Sequence, residues 1–244
     1  MFHKLQEGAI IVSDAHYSSR RPELLAFMQA IVRGDLNPPQ LILLGDIFDA
    51  LFGTIEYTYK ENQEMIDLIE RIAKEREVIY LEGNHDFRLK KVFSSAIHIY
   101  PLAQQPLAVE YAGKKVLLAH GDFDGKLGYK VYTAVIRNPV VLEILKYLDR
   151  ALGHTIIKKI EAYLQKKEDC IALPWFKNFI ADRFGDRFVC DFFIEGHFHQ
   201  NTQFKLEKFT YINLAAFACN QRYFIVKSLQ AKELLEEHQF SKEI

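Results

Sequence analysis

The sequence predicts an α/β fold with its functional groups along one rim of a sheet. Two observations predict it. Five short apolar runs read as buried strands, and each ends in a cluster drawn from Gly, Asp, Asn and His. Polar ligand groups just outside the carboxyl ends of strands are what open α/β sheets display. A chain of 244 residues, 49% apolar, is large enough to bury a sizeable core as one domain spanning 1–244.

The runs come in order. Ala9 to Ser13 ends in Asp14-Ala15-His16. Residues i and i+2 of an extended chain share a side, so Asp14 and His16 could grip one metal. Leu41 to Leu44 ends in Gly45-Asp46-Ile47-Phe48-Asp49, and Val78 to Leu81 ends in Gly83-Asn84-His85-Asp86. Val116 to Ala119 ends in His120-Gly121-Asp122, and Phe192 to Ile194 ends in Gly196-His197-Phe198-His199. Glycines before Asp46, Asn84 and His197 let the backbone turn tightly beside an ion. Thr202 to Leu206, Thr210 to Leu214 and Tyr223 to Val226 read as strands returning to the sheet. A helix over 229–238 closes the chain, with Lys232, Glu233, Glu236 and Glu237 outward and Leu234 and Leu235 packing.

Each signature alone is ordinary. Asp-x-His after a strand is weak, Gly-Asp and Gly-Asn-His-Asp can be turns, and Gly-His-x-His can be two unrelated surface histidines. Together they give Asp14, His16, Asp46, Asn84, His120, His197 and His199 as ligands of a dinuclear metal site. The set lacks Cys, which suits Mn first, with Fe, Zn or Mg as alternatives, rather than a thiolate zinc site. Two metals about 3.5–4 Å apart need a bridging carboxylate, and Asp46 is the natural one.

This ordered set resembles the calcineurin-like metallophosphoesterase family over residues 10–200. The resemblance implies a four-layer α/β/β/α sandwich of two facing mixed sheets flanked by helices. It implies that Asp14, His16, Asp46 and His199 hold one ion and that Asp46, Asn84, His120 and His197 hold the other. It also implies that His85 donates a proton to the leaving oxygen or stabilises the transition state, oriented by Asp86. Asp49 would orient a ligand histidine or start a helix.

Between His120 and His197 lie 76 residues, more than a strand and a loop need, so a helical cap is expected at about 125–185. Leu127 to Ile136, a helix opened by Asn138-Pro139 and ended by Gly153, His154 to Lys166, and a helix from Pro174 all carry apolar stripes. The cap has two readings: helices packed only on each other, or apolar surface left over beside the metals. Residues 126–167 carry a net charge of +6 within a chain of net −1. Apolar surface rimmed by lysines would hold acyl chains and rest on an anionic membrane.

The cap after Ala119-His120-Gly121-Asp122-Phe123, with the Leu44 to Gly53 and Gly83 to Phe87 blocks, resembles the UDP-2,3-diacylglucosamine pyrophosphatase branch of the lipid A pathway. That resemblance implies release of UMP and 2,3-diacylglucosamine 1-phosphate. Many members of the branch carry Arg where this chain has His85. A sugar-phosphate leaving group departs without a proton, whereas a histidine acid helps expel alkoxides. A phosphodiesterase or phosphatase acting on another nucleotide or lipid is therefore a second reading, and a non-catalytic scaffold a third.

Arg88, Asp122, Tyr129 and Tyr132 are the candidate substrate-binding residues. Arg20, Arg21, Lys90 and Lys91 are weaker, and His98 and His154, lacking ligand spacing, read as structural. Cys170, Cys190 and Cys219 show neither metal nor disulfide spacing, so a reduced, cytosolic protein is expected. The polar start, Met1 to Gly8, predicts no signal peptide, and no apolar run approaches a membrane span. The expected partners are a nucleotide-lipid substrate and the anionic surface of the inner membrane, bound peripherally. Nucleic acid is not expected, because no basic groove interleaved with aromatics is evident.

Overall fold

The computed structural model describes residues 3–125, 127–165, 170–228, 230–231 and 233–241. Lys126, Lys166 and Lys167 of the basic segment, and Lys232, lie outside the described residues.

The chain begins with β1 (His3–Lys4) and β2 (Ile10–Val12), followed by α1 (Glu23–Arg33). Leu24, Phe27, Met28 and Ile31 recur at helical spacing and give α1 one buried face. Then come β3 (Gln40–Leu43), β4 (Leu51–Phe52), α2 (Glu56–Glu61), α3 (Gln63–Ala73) and β5 (Glu77–Leu81). Met65, Ile66, Ile69 and Ile72 form the buried face of α3. Next are β6 (Asp86–Phe87), β7 (Ile97–Tyr100), β8 (Leu107–Tyr111) and β9 (Lys114–Ala119). The helices α4 (Leu127–Ile136), α5 (Pro139–Ala151), α6 (Thr155–Leu164) and α7 (Phe176–Phe184) follow. The chain ends with β10 (Phe192–Glu195), β11 (Thr202–Lys205), β12 (Thr210–Asn213), α8 (Phe217–Asn220), β13 (Arg222–Val226) and β14 (Leu235–Gln239).

Two six-stranded sheets are mixed, in the orders β1-β8-β9-β10-β12-β11 and β14-β13-β2-β3-β5-β7, and β4 pairs with β6 in a small ribbon. Their central strands are apolar on both faces, because both faces are covered. Ile10, Val12, Leu41, Leu43, Val78 and Tyr80 pack on α1 and α3. The alternate residues Ile11, Ile42 and Ile79 face Val116, Leu118, Ile194 and Ile212 of the other sheet. Leu117, Phe193 and Tyr211 on that sheet's far side pack on Phe176, Ile180 and Phe184 of α7. The result is the α/β/β/α sandwich. β2, β3 and β5 run parallel, as do β9, β10 and β12, so the ligand-bearing ends share one rim.

Three expectations are corrected here. The closing segment is not a helix over 229–238. Leu235–Gln239 forms β14, paired antiparallel with β13 from Val226↔Leu235 to Arg222↔Gln239. Backbone pairing and burial of Leu234 and Leu235 in the inter-sheet core outweigh a charge pattern that also fits a helix. The helix after Pro174 belongs to the body, since α7 covers a sheet face. The helices over the rim are α4, α5 and α6, whose Leu142 and Ile157 pack with Phe52, Ile55 and Phe87. Asn138 caps α5, its side chain accepting from Val140 N–H and Val141 N–H. Finally, Cys170 and Cys219, 49 residues apart, form a disulfide, and among the described residues only Cys190 is a free, buried thiol. Spacing along the chain does not show that the segment after α6 returns to α8. No helix among the described residues is long and apolar enough to cross a membrane.

Candidate metal centre

The loops after β2, β3, β5, β9 and β10 meet on the rim. They are stitched by backbone bonds: Asp14 N–H donates to the Gly45 carbonyl (3.1 Å), His16 N–H to Asp46 (3.0 Å) and Gly196 N–H to His120 (2.9 Å). Asp14, His16, Asp46, His197 and His199 all adopt left-handed backbone, with φ between 45° and 61°. Such conformations cost energy in non-glycine residues and cluster where function demands them. Neighbouring glycines make room. A Cβ on Gly83 would lie 2.2 Å from Asp46 Oδ1, and one on Gly196 would lie 2.3 Å from Asp14 Oδ2.

The side chains converge in overlapping groups. Asp14, His16 and His199 form one, Asp46, His120 and His197 another, and His16, Asp46 and His85 a third between them, each with ligand atoms within 4.8 Å. Asp46 thus belongs with His120 and His197 and reaches the first half through His16 in the intermediate group. Asn84 joins the second half, its Oδ1 lying 3.3 Å from His120 Nε2. His120 is fully buried, and its Nδ1 donates to the Leu44 carbonyl (3.0 Å), which aims Nε2 at Asp46 Oδ2 (3.4 Å). Such a bond behind a ligand histidine fixes its tautomer. Gln105 carries this support one shell further, accepting from His120 N–H (2.7 Å) and donating to the Glu82 carbonyl (2.7 Å).

The electrostatics suit a cation. Burial pushes the Asp14 carboxyl up, but His199 and His120 outweigh it and hold it at about 2. Burial is likewise overcome at Asp46 by His120, His85 and His16, which hold it well below the usual carboxylate range. Burial lowers His120, but Asp46 and Asp14 push it well above its ordinary value. His197 is pushed down to about 4 by burial and by the charge of His120. Ionised carboxylates and a neutral His197 are the forms that bind metal, and a cation would displace the proton held on His120.

His85 sits with them, 6% exposed, its ring 4.8 Å from that of His16. Its Nδ1 donates to the Asp49 carbonyl (2.8 Å) and lies 3.8 Å from Asp49 Oδ1. Asp49 also stands 3.9 Å from His16 Nδ1. Asp49, not Asp86, therefore orients His85. The Asp86 carboxylate turns away, accepting from the amides of Asp46 (3.1 Å), Ile47 (2.7 Å) and Gly83 (2.8 Å) and from Tyr80 Oη (2.6 Å). It clamps the two loops to each other; burial and the nearby Asp46 push it up to about 7.

The expected substrate residues divide. Tyr129 and Tyr132 line a cavity of about 310 Å³ that opens beside Asn84, His85 and His197. Asp122 lies behind that wall, accepting from Tyr129 Oη at 3.3 Å. Arg88 does not line the cavity; its Nη1 donates to the Arg137 carbonyl (3.2 Å). An arginine that does reach the Asn84 loop is Arg137, which sequence reasoning missed. Its Nη2 donates to the Gly83 carbonyl (2.7 Å) and to Asp122 (3.3 Å), and its guanidinium lies 5.4 Å from the Phe87 ring centroid. No motif marks it, since it lies at the end of α4, far along the chain from Gly83.

A calcineurin-like phosphoesterase family model matches residues 9–201. The chain belongs to the calcineurin-like phosphoesterase family. It is 28% identical over 207 residues to a UDP-2,3-diacylglucosamine hydrolase of Pseudomonas fluorescens, covering 81% of each protein. It is 30% identical over 157 residues to the Pseudomonas putida F1 protein of that name, covering 63% of this chain and 65% of the relative. A solved archaeal phosphodiesterase is 16% identical, covers 95% of this chain and 99% of its own, and superposes with a TM-score of 0.45. The family makes this chain a metal-dependent phosphoester hydrolase, and the rim fits divalent metal. Its donors are carboxylate, amide oxygen and imidazole, held where glycines leave no side chain in the way.

Proposed function

We propose that the enzyme cleaves the pyrophosphate bond of UDP-2,3-diacylglucosamine, giving UMP and 2,3-diacylglucosamine 1-phosphate. The observation that carries this reading is the cavity between rim and cap. One end is polar, formed by Asn84, His85 and His197, and the remainder is walled by apolar side chains such as Phe52, Phe87, Leu145, Ile160 and Leu164. A phosphate placed at the polar end would leave an attached acyl chain among those side chains. The names of the Pseudomonas relatives support the same substrate.

Asp14, His16, Asp46 and His199 would hold one divalent ion, and Asp46, Asn84, His120 and His197 the other, with manganese the first choice. When bound, two such ions neutralise phosphoryl oxygens and activate water for in-line attack. The protein's own groups do the rest. His85, with Nδ1 fixed on the Asp49 carbonyl, lines the cavity, where its Nε2 would donate to the leaving oxygen. Arg137 would hold the loop carrying Asn84 and His85 in place. The cap also presents exposed Val140, Ile144, Tyr147, Leu148 and Leu152 beside Lys158 and Lys159, which would rest on an anionic membrane surface.

Because His85 is a proton donor, a second reading is a phosphodiesterase acting on another amphiphilic ester. The deciding experiment is manganese-dependent turnover of UDP-2,3-diacylglucosamine beside bis-p-nitrophenyl phosphate, with products identified by mass. UMP release with strong preference for the lipid nucleotide supports the first reading. Cleavage of the small diester alone overturns it in favour of the second.

A further inference from the structure

The opposite end of the sandwich carries a second group of metal-ligand side chains. His3 lies in β1 on the edge of one sheet, whereas Glu77 opens β5 and His98 lies in β7 of the other. Glu77 and the rim ligands stand at opposite ends of β5, whose five residues span roughly 17 Å. The group is therefore separate from the catalytic rim, and it does not rest on the substrate proposed above.

Three strands that are distant in sequence bring one ligand atom each to within 4.8 Å of one another. The His3 and His98 rings meet edge-on at 4.7 Å, and His3 Nδ1 lies 2.9 Å from Glu77 Oε1. Glu77 is held in that pose. Its Oε2 accepts from Gln40 Nε2 (2.8 Å) and Gln6 Nε2 (3.1 Å), so Oε1 is left toward the histidines. Gln40 is fully buried and is itself fixed, since Nε2 also donates to the Lys4 carbonyl (3.0 Å) and Oε1 accepts from Gln6 N–H (3.2 Å). This is a supported carboxylate beside two imidazoles, not a loose surface cluster. His98 is exposed, which leaves one side of the group open to water.

We propose that His3, Glu77 and His98 form a divalent-metal site of the zinc class that fastens the N-terminal strand to the second sheet. Two histidines and one glutamate are a zinc donor set, with the fourth position left to water. Binding needs only small movements, because ligand atoms around one tetrahedral zinc stand about 3.3 Å apart, given bonds of about 2.0–2.1 Å. A metal entering there would replace the hydrogen bond between His3 and Glu77, since imidazole binds metal in its neutral form. β1 has only two residues and its ladder partner is β8 of its own sheet, so a metal at His3 would add a tie from it to the second sheet.

The test counts zinc. Full-length protein is stripped with chelator, equilibrated with zinc, passed through a desalting column and analysed by elemental mass spectrometry. Wild type should retain one more equivalent per chain than His98→Ala, and Glu77→Gln should match His98→Ala. Hydrolysis of bis-p-nitrophenyl phosphate by the manganese-loaded variants should be unchanged, which shows that the rim is intact. Zinc should also raise the melting temperature of wild type more than that of His98→Ala. Equal zinc in wild type and both variants, or an equal thermal shift, would overturn the proposal. The count reads the same whichever phosphoester the enzyme cleaves.

Discussion

The rim and the cap are built on opposite terms. On the rim the polar side chains are buried, strained and individually supported: His120 by Leu44 and Gln105, His85 by Asp49, and the loop backbones by Asp86. The cap is amphipathic helix with much apolar surface in solvent, including Leu127, Val140 and Leu148, each more than half exposed. On the proposed substrate, the difference would separate chemistry from selection. A reaction needs atoms fixed within fractions of an ångström, whereas an acyl chain needs only an apolar wall of sufficient length.

Variants sharpen that contrast. Removing divalent metal with a chelator, or substituting His120→Ala, should abolish turnover of both the lipid nucleotide and the small diester, with circular dichroism unchanged. Retained activity in either case would break the assignment of the rim as the metal site. His85→Ala should lower kcat by about 10²–10⁴-fold, the usual contribution of a positioned acid, with bound metal still countable at the wild-type level. Gly83→Ala should cost about 10²-fold, because its methyl group would displace the Asp46 carboxylate, and small displacements of reacting groups carry that penalty.

The cap should respond only to the lipid. Leu145→Ala should reduce kcat/KM for the diacyl substrate by about 10- to 200-fold, the range for a changed hydrophobic pocket, and leave bis-p-nitrophenyl phosphate untouched. Equal loss on both substrates would mean that the cap shapes the chemistry as well. The smallest effect is at the surface. Lys158→Ala and Lys159→Ala should each weaken sedimentation with anionic vesicles by about fivefold at low salt, near 1 kcal/mol per charge. No vesicle binding by wild type would remove the membrane from the account.

The same contrast explains what the sequence disclosed. Asp14, His16, Asp46, Asn84, His120, His197 and His199 each lie within a few residues of a strand end, so local patterning was enough to single them out as candidate ligands. Helices α4 and α5 were legible from apolar spacing and from Asn138-Pro139. Features that depend on chain return were not. Arg137 meets Gly83 from another helix, Cys170 meets Cys219 across 49 residues, and His98 meets His3 across two sheets. The role of Asp86 was misread because adjacency to His85 suggested contact, whereas the carboxylate is taken by backbone amides. β14 was misread because a charged segment with two leucines fits either period, and only its partner β13 decides.

Arg137 is one of the places where rim and cap touch. Its guanidinium grips the carbonyl beside Asn84, while its own carbonyl is gripped by Arg88. Helix α4 therefore cannot lift without loosening the loop that carries Asn84 and His85. A substitution at Arg137 would therefore be felt in two places at once, the helix that walls the cavity and the loop that carries Asn84 and His85.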